Sequence, residues 1–168
     1  MFRELRRKQQ ALSVQECEKV LAAGEWGVLG VHGDNGYPYT VPLNYVYHDG
    51  QILFHSARSG HKIDAIARDE KASFCVVDKS ALVPEKFATD YRSVIVFGRV
   101  RKLEGREELT EALTALVEAL SGDEPLVSKR AEVDTCMMRD NVEVLALTPE
   151  HISGKQAARS IRSSNEPK

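Results

Sequence analysis

The stretch Phe54-His55-Ser56-Ala57-Arg58-Ser59-Gly60-His61-Lys62-Ile63-Asp64 gathers two hydroxyls, two imidazoles and two cationic side chains at a point where an apolar, β-prone run gives way to helical spacing. The first amides of a helix have no partner within it, so a helix opening just after Gly60 aims free N–H donors at the preceding loop. Together with Ser56, Arg58, Ser59, His61 and Lys62 these donors form a plausible cradle for a phosphate dianion. A solvated polar loop is the plain alternative, because strand-to-helix connections are often polar. The spacing GxxxxGK[ST] is absent, which argues against a nucleoside triphosphate.

A second stretch, Gly36-Tyr37-Pro38-Tyr39-Thr40-Val41-Pro42-Leu43-Asn44-Tyr45, places a proline inside what otherwise reads as a strand. Proline cannot donate to a ladder, so nearby backbone groups lose partners on one side, and a planar ligand with alternating donors and acceptors, such as the pyrimidine edge of a flavin, could take them up. Pro42 could equally mark an edge strand or a bulge. In Asp90-Tyr91-Arg92-Ser93-Val94-Ile95-Val96-Phe97-Gly98-Arg99-Val100, polar residues precede an apolar run, so Tyr91, Arg92 and Ser93 could face a ligand or a second subunit while the rest is ordinary barrel strand. His61 has three readings: phosphate contact, substrate contact, or a cap on the following helix. His32 and His48 fall in turn-like stretches and are expected in solvent. Cys17, Cys75 and Cys136 form no CxxC pair, and Cys17 and Cys75 lie on apolar faces where burial disfavours thiolate. His55, His61 and His151 match no zinc spacing, so no metal is expected.

The elements that must hold these residues are short. Ser13 and Glu16 have capping-box spacing, Val14, Cys17, Val20 and Leu21 share a face, and Gly24 supplies a stop, which predicts a helix. Six strands are expected, at Trp26 to Val31, Tyr39 to Tyr47, Gln51 to His55, Lys71 to Asp78, Arg92 to Leu103 and Val142 to Leu147. Asp34-Asn35-Gly36 and His48-Asp49-Gly50 read as hairpin turns, making the opening strands a meander. A short helix is expected over His61 to Arg68, and a longer one from Leu109 to Leu120 by its i, i+3, i+4 periodicity. Asp123 to Asn141 resists assignment, although Met137 and Met138 are candidates for burial. The pattern fits a small antiparallel barrel with peripheral helices, and no GxGxxG follows a strand to suggest a dinucleotide fold. One domain over residues 1–159 and a loose tail over 160–168 are expected.

The chain of 168 residues carries 23 basic and 25 acidic side chains, a formal charge of -2, so no overall field favours nucleic acid or an anionic membrane. There is no apolar run long enough for a membrane span and no secretory signal pattern, so a reducing cytoplasm is expected.

Taken in order, Met1-Phe2-Arg3-Glu4-Leu5-Arg6-Arg7-Lys8, Gly36-Tyr37-Pro38 with Val41-Pro42-Leu43, Phe54-His55-Ser56-Ala57 with Gly60-His61-Lys62, Tyr91-Arg92-Ser93-Val94 with Phe97-Gly98, and Ile152-Ser153-Gly154-Lys155 resemble the pyridoxamine 5'-phosphate oxidase-related proteins, especially their nitroimidazole-reductase-like branch. The resemblance implies an FMN-binding split β-barrel that forms a homodimer with FMN at the subunit interface. It places Pro42, Leu43, Asn44 and Tyr45 along the isoalloxazine, His55 and Ser56 near the ribityl phosphate, and His61 and Lys62 on the phosphate. Ser93 and Val94 would close the site. Vitamin B6 oxidation is not expected, because the basic C-terminal residues of the dedicated oxidases have no counterpart here. The implied activity is FMN-dependent oxidoreduction, with NADH or NADPH stacking on the open flavin face and a small planar acceptor; no catalytic acid or base is nominated. The alternatives are a non-enzymatic module holding flavin, haem or deazaflavin, and an interaction protein using the basic Arg3 to Lys8 arm.

Overall fold

The protein is described by a computed structural model covering residues 1–138 and 142–157; the expected tail at 160–168 lies outside the described residues. Helix α1 spans Val14–Ala23 and opens with a reciprocal cap: Ser13 Oγ accepts from the Glu16 amide, and the Glu16 carboxylate accepts from the Ser13 amide at 2.7 Å. The strands are β1 (Trp26–His32), β2 (Pro38–Asn44), β3 (Val46–His48), β4 (Gln51–Ala57), β5 (Lys71–Val83), β6 (Ala88–Lys102) and β7 (Val142–Gln156). Helix α2 (His61–Arg68) follows β4, and α3 (Arg106–Leu120) and α4 (Leu126–Met138) lie between β6 and β7.

All pairings are antiparallel, in the order β2-β1-β5-β6-β7-β4-β3. The two edges of this sheet, β2 and β3, are separated in the chain by Tyr45 alone. One residue spans only about 3.5 Å, so the sheet must curl until its edges meet. The fold is a split β-barrel of seven strands, not six. The expected run Tyr39 to Tyr47 divides because Tyr45 turns inward: it is 1% exposed, its hydroxyl donates to the Leu21 carbonyl at 2.8 Å, and its ring meets Phe74 edge-on. Both expected hairpins form, with Asn35, Gly36, Asp49 and Gly50 at positive φ. They join β1 to β2 and β3 to β4, while β2 and β3 do not pair.

Inside the barrel, Leu29, Phe54, Phe74 and Val96 are fully buried and pack with Cys17, Val20 and Leu21 of α1, whereas Val14, expected on the same face, is 59% exposed in the first turn of the helix. A second cluster lies on the outer face of β4 and β7, where Leu53, Val144 and Ala146 are covered by α3 and Val133 of α4. Burial on both faces explains the unbroken apolar runs Ile52-Leu53-Phe54 and Val144 to Leu147. The unassigned interval resolves as α4, with Met137 packed against this cluster and Met138 83% exposed, contrary to its expected burial. Residues 139–141 lie outside the described residues. The outer face of β1, β5 and β6 has no such cover, and Trp26, Val77, Ile95 and Phe97 are exposed there. No described helix is long and apolar enough to cross a membrane.

Candidate functional site

Helix α2 begins without a side-chain cap, after Gly60 at φ 122, and the Ile63 and Asp64 amides already bond back to the Gly60 carbonyl. The first amides of the helix, at His61 and Lys62, are therefore the free donors that an anion would meet. A Cβ built on Gly60 would meet nothing within 4 Å, so the approach is open. This is the chemistry a phosphate needs. The neighbouring cations are partly engaged. Arg58 Nε lies 4.0 Å from Glu143, whose side chain is 10% exposed and also pairs with Lys102. His61 stacks on Tyr39 with centroids 4.0 Å apart, and its Nε2 is 3.5 Å from Asp34, which also takes the Arg68 guanidinium at 2.6 Å. The Arg68 hydrogen bond lowers the Asp34 carboxyl below the usual carboxylate range. In the sequence Asp34 reads only as part of the Asp34-Asn35-Gly36 turn, with no role at the site.

The remaining expected residues sort by strand alternation. Opposed pairs place Pro42 beside Val28, Val28 beside Cys75, Cys75 beside Ile95, and Ile95 beside Ser153. That row crosses the uncovered outer face. Asn44 opposes Trp26, and Ser93 opposes Val77 and Lys155, so both lie in the next row of the same face. Leu43 and Val94 point the other way, into the barrel with Tyr45, and Val94 is fully buried. Pro42 sits on an edge strand, where its missing N–H is tolerated. Asn44 donates from its side chain to the Glu25 carbonyl at 3.1 Å, which fixes the end of β2 to the start of β1.

His55 and Ser56, adjacent in sequence, face opposite sides of β4. Ser56 is buried with its hydroxyl donating to the Ala57 carbonyl at 2.9 Å. His55 is exposed and lines a pocket of about 200 Å³ with Leu113, Leu116 and Cys136 beneath α3 and α4. A wider cleft of about 620 Å³ runs from α2 to β6 and β7 and contains none of the expected site residues. Its cations are neutralised: Arg68 by Asp34, Arg99 by Glu70 and Glu150, Arg101 by Glu108 and Lys102 by Glu143. Among the described residues no hydrogen bond or ion pair joins the α2 entrance to the Pro42, Asn44 and Ser93 face.

The cysteines behave as expected, with burial raising the thiols of both Cys17 and Cys75. His32 is exposed, but His48 is half-buried, not free in solvent, because α3 brings Glu111 to 3.6 Å. With Asp49 these residues form the one cluster of metal-capable groups among the described residues. Asp49 and Glu111 are 82% and 66% exposed, so water competes with them for any ion.

Residues 13–156 match the family model described as pyridoxamine 5'-phosphate oxidase. No curated protein matches the chain. Among solved structures, a protein from Bacteroides thetaiotaomicron named for 5-nitroimidazole antibiotic resistance is similar, with a TM-score of 0.69 and 24% identity over 87% of this chain and 86% of that one. A FAD-binding protein from Mesorhizobium loti aligns with a TM-score of 0.62 and 26% identity over 88% of this chain and 97% of that one. A flavocytochrome from Azotobacter vinelandii gives 0.68 and 21% over 92% and 72%. With the family match running from the capping serine of α1 to the last residue of β7, this chain belongs to the pyridoxamine 5'-phosphate oxidase family.

Proposed function

We propose that the protein is an FMN-dependent oxidoreductase, working as a homodimer in which two half-sites from different chains make each cofactor site. The observation that carries this reading is the uncovered sheet face beside the open start of α2. His61 at that start stacks on Tyr39 of β2, three residues from Pro42 at the edge of the face that also carries Asn44 and Ser93. A second copy seated on that face would enclose the cofactor between the two chains.

In this reading the α2 amides and Lys62 hold the phosphate, and His61 leaves Asp34 to join them. The edge of β2 around Pro42, with Asn44 and Ser93, meets the ring. Leu43, Tyr45, Ser56 and Val94 act from beneath by fixing the strands, and His55 acts through the position of β4. FMN, when bound, supplies the capacity to accept a hydride from NADH or NADPH and pass reducing equivalents to a small planar acceptor of the nitroimidazole type. The protein orients the ring and excludes water from one of its faces. The sequence carries no GxGxxG turn, so in this reading the nicotinamide donor stacks on the open flavin face and binds weakly, with little discrimination.

The test is the absorption spectrum of the purified protein, followed by mass spectrometry of the cofactor released by heat. Bands at roughly 370 and 450 nm, an FMN mass, and bleaching by NADPH without oxygen are expected. An intense Soret band would replace this reading with haem binding, and bound flavin that no nicotinamide donor reduces would make the protein a carrier.

A further inference from the structure

One ring nitrogen of His48 has no partner. Its Nε2 is shut off from water and makes no hydrogen bond among the described residues, although two carboxylates stand over it, Glu111 Oε1 at 3.6 Å and Asp49 Oδ2 at 3.9 Å. Both separations exceed the range of an N–H···O hydrogen bond. A buried polar atom left in this way is costly, and water does not reach it to make up the loss. The spacing suits a shared ion better. Donor atoms placed tetrahedrally at about 2.0–2.1 Å from zinc lie roughly 3.3–3.4 Å from one another. The three donor atoms here already lie within 4.8 Å of one another, and the two separations from His48 need to shrink by only roughly 0.3 and 0.5 Å.

The fold brings these ligands from two elements. His48 ends β3, Asp49 follows it at φ 46 in the turn to β4, and Glu111 lies in the second turn of α3. Strand β3 has three residues and forms an edge of the sheet, so its end has little pairing of its own to hold it. A cleft of about 550 Å³ opens alongside, with Val46 and His48 on one wall and Glu111, Thr114 and Glu118 of α3 on the other. No lysine or arginine lines it among the described residues. The local field is therefore negative in a chain that is nearly neutral overall, and it attracts cations. An imidazole with two carboxylates is a donor set that suits zinc, whereas magnesium and calcium take oxygen ligands.

We propose that His48, Asp49 and Glu111 form a zinc-class metal site that clips the β3–β4 turn to α3, with water completing the coordination. The exposure of two of its three ligands lets them draw in around an ion and makes the affinity modest. Glu111 is distant in sequence from the other two, which is why no zinc spacing announces the set. None of these residues belongs to the proposed cofactor site, so the metal site stands or falls apart from the flavin reading.

Calorimetric titration of the full chain with zinc chloride tests it. One zinc per chain is expected, and zinc at about ten times its dissociation constant should raise the thermal midpoint by about 3–5 °C. Magnesium at the same concentration should leave the midpoint unchanged. His48→Ala and Glu111→Gln should each weaken zinc binding about tenfold or more, whereas His32→Ala, which removes an exposed imidazole beside Asp69 at 3.8 Å, should not. Hydrogen exchange of the wild type gives a readout independent of how the variants fold: amides of residues 46–51 should exchange more slowly with zinc than without. No binding at millimolar zinc, binding that survives His48→Ala, or exchange at residues 46–51 that ignores zinc would overturn the site. A response that magnesium matches, or that His32→Ala also abolishes, would mark an adventitious ion only and overturn it as well.

Discussion

Tyr45 is where barrel closure becomes a single side chain. It occupies the one-residue corner between the two sheet edges, and its hydroxyl, buried against α1, donates to the Leu21 carbonyl. Burial raises its pKa, so it remains a neutral donor across the physiological range. Tyr45→Phe keeps the ring against Phe74 but strands a buried carbonyl, which should cost about 1–2 kcal/mol in urea unfolding with the far-UV spectrum unchanged. Lys62 belongs to a different class, half-buried at the open end of α2 with no ion pair among the described residues. Lys62→Ala should leave folding intact and weaken FMN binding about tenfold to a hundredfold in a fluorescence titration, the range expected for a charge-assisted hydrogen bond. An unchanged FMN affinity would place the phosphate elsewhere. His61 shows why its role was ambiguous from sequence: its partners Tyr39 and Asp34 lie 22 and 27 positions away, and local spacing reveals neither.

The elements whose own residues encode them were the legible ones. The reciprocal Ser13–Glu16 cap and the periodic stripe of α3 are local patterns, and both appear as read. What stayed hidden depended on distant partners. Tyr39 to Tyr47 has the composition of one strand, and it breaks only because barrel closure draws Tyr45 inward. β5, β6 and β7 run well past their expected ends because each extension is stabilised by pairing with another, not by its own alternation. Helix α4 has little amphipathic pattern and follows the surface that α3 and β7 offer it. The cap of α1 also makes a pH-dependent prediction. The Ser13 amide, and then its hydroxyl, hold the Glu16 carboxyl below its ordinary value of 4.5. A folded-state pKa depressed in this way contributes stability above the ordinary value, and the contribution disappears as pH falls through the folded-state value. Ser13→Ala should therefore cost about 1 kcal/mol near neutrality and somewhat less in acid, where the Ser13 hydroxyl no longer has a Glu16 carboxylate to donate to. Thermal melts at pH 7 and below the carboxylate range should show the two proteins converging.

At the scale of the whole molecule, one sheet is dressed unevenly: helices α3 and α4 cover β4 and β7, while the face carrying Pro42, Asn44 and Ser93 is left apolar and open. A cofactor bound within one chain and a cofactor bound between two respond differently to dilution. If each FMN touches the α2 entrance of one protomer and the open sheet face of another, binding and dimerisation are linked, and each must strengthen the other by the same factor. The midpoint of an FMN titration should then move to lower ligand concentration as protein concentration rises through the dimer dissociation constant. Excess FMN should in turn shift the sedimentation equilibrium toward dimer by a free energy that grows with the logarithm of ligand concentration. Lys62→Ala should weaken this coupling without changing dimerisation in the absence of FMN, because Lys62 lies off the apolar face. A titration midpoint that stays fixed over a hundredfold range of protein spanning that constant would mean that a single chain holds the whole site.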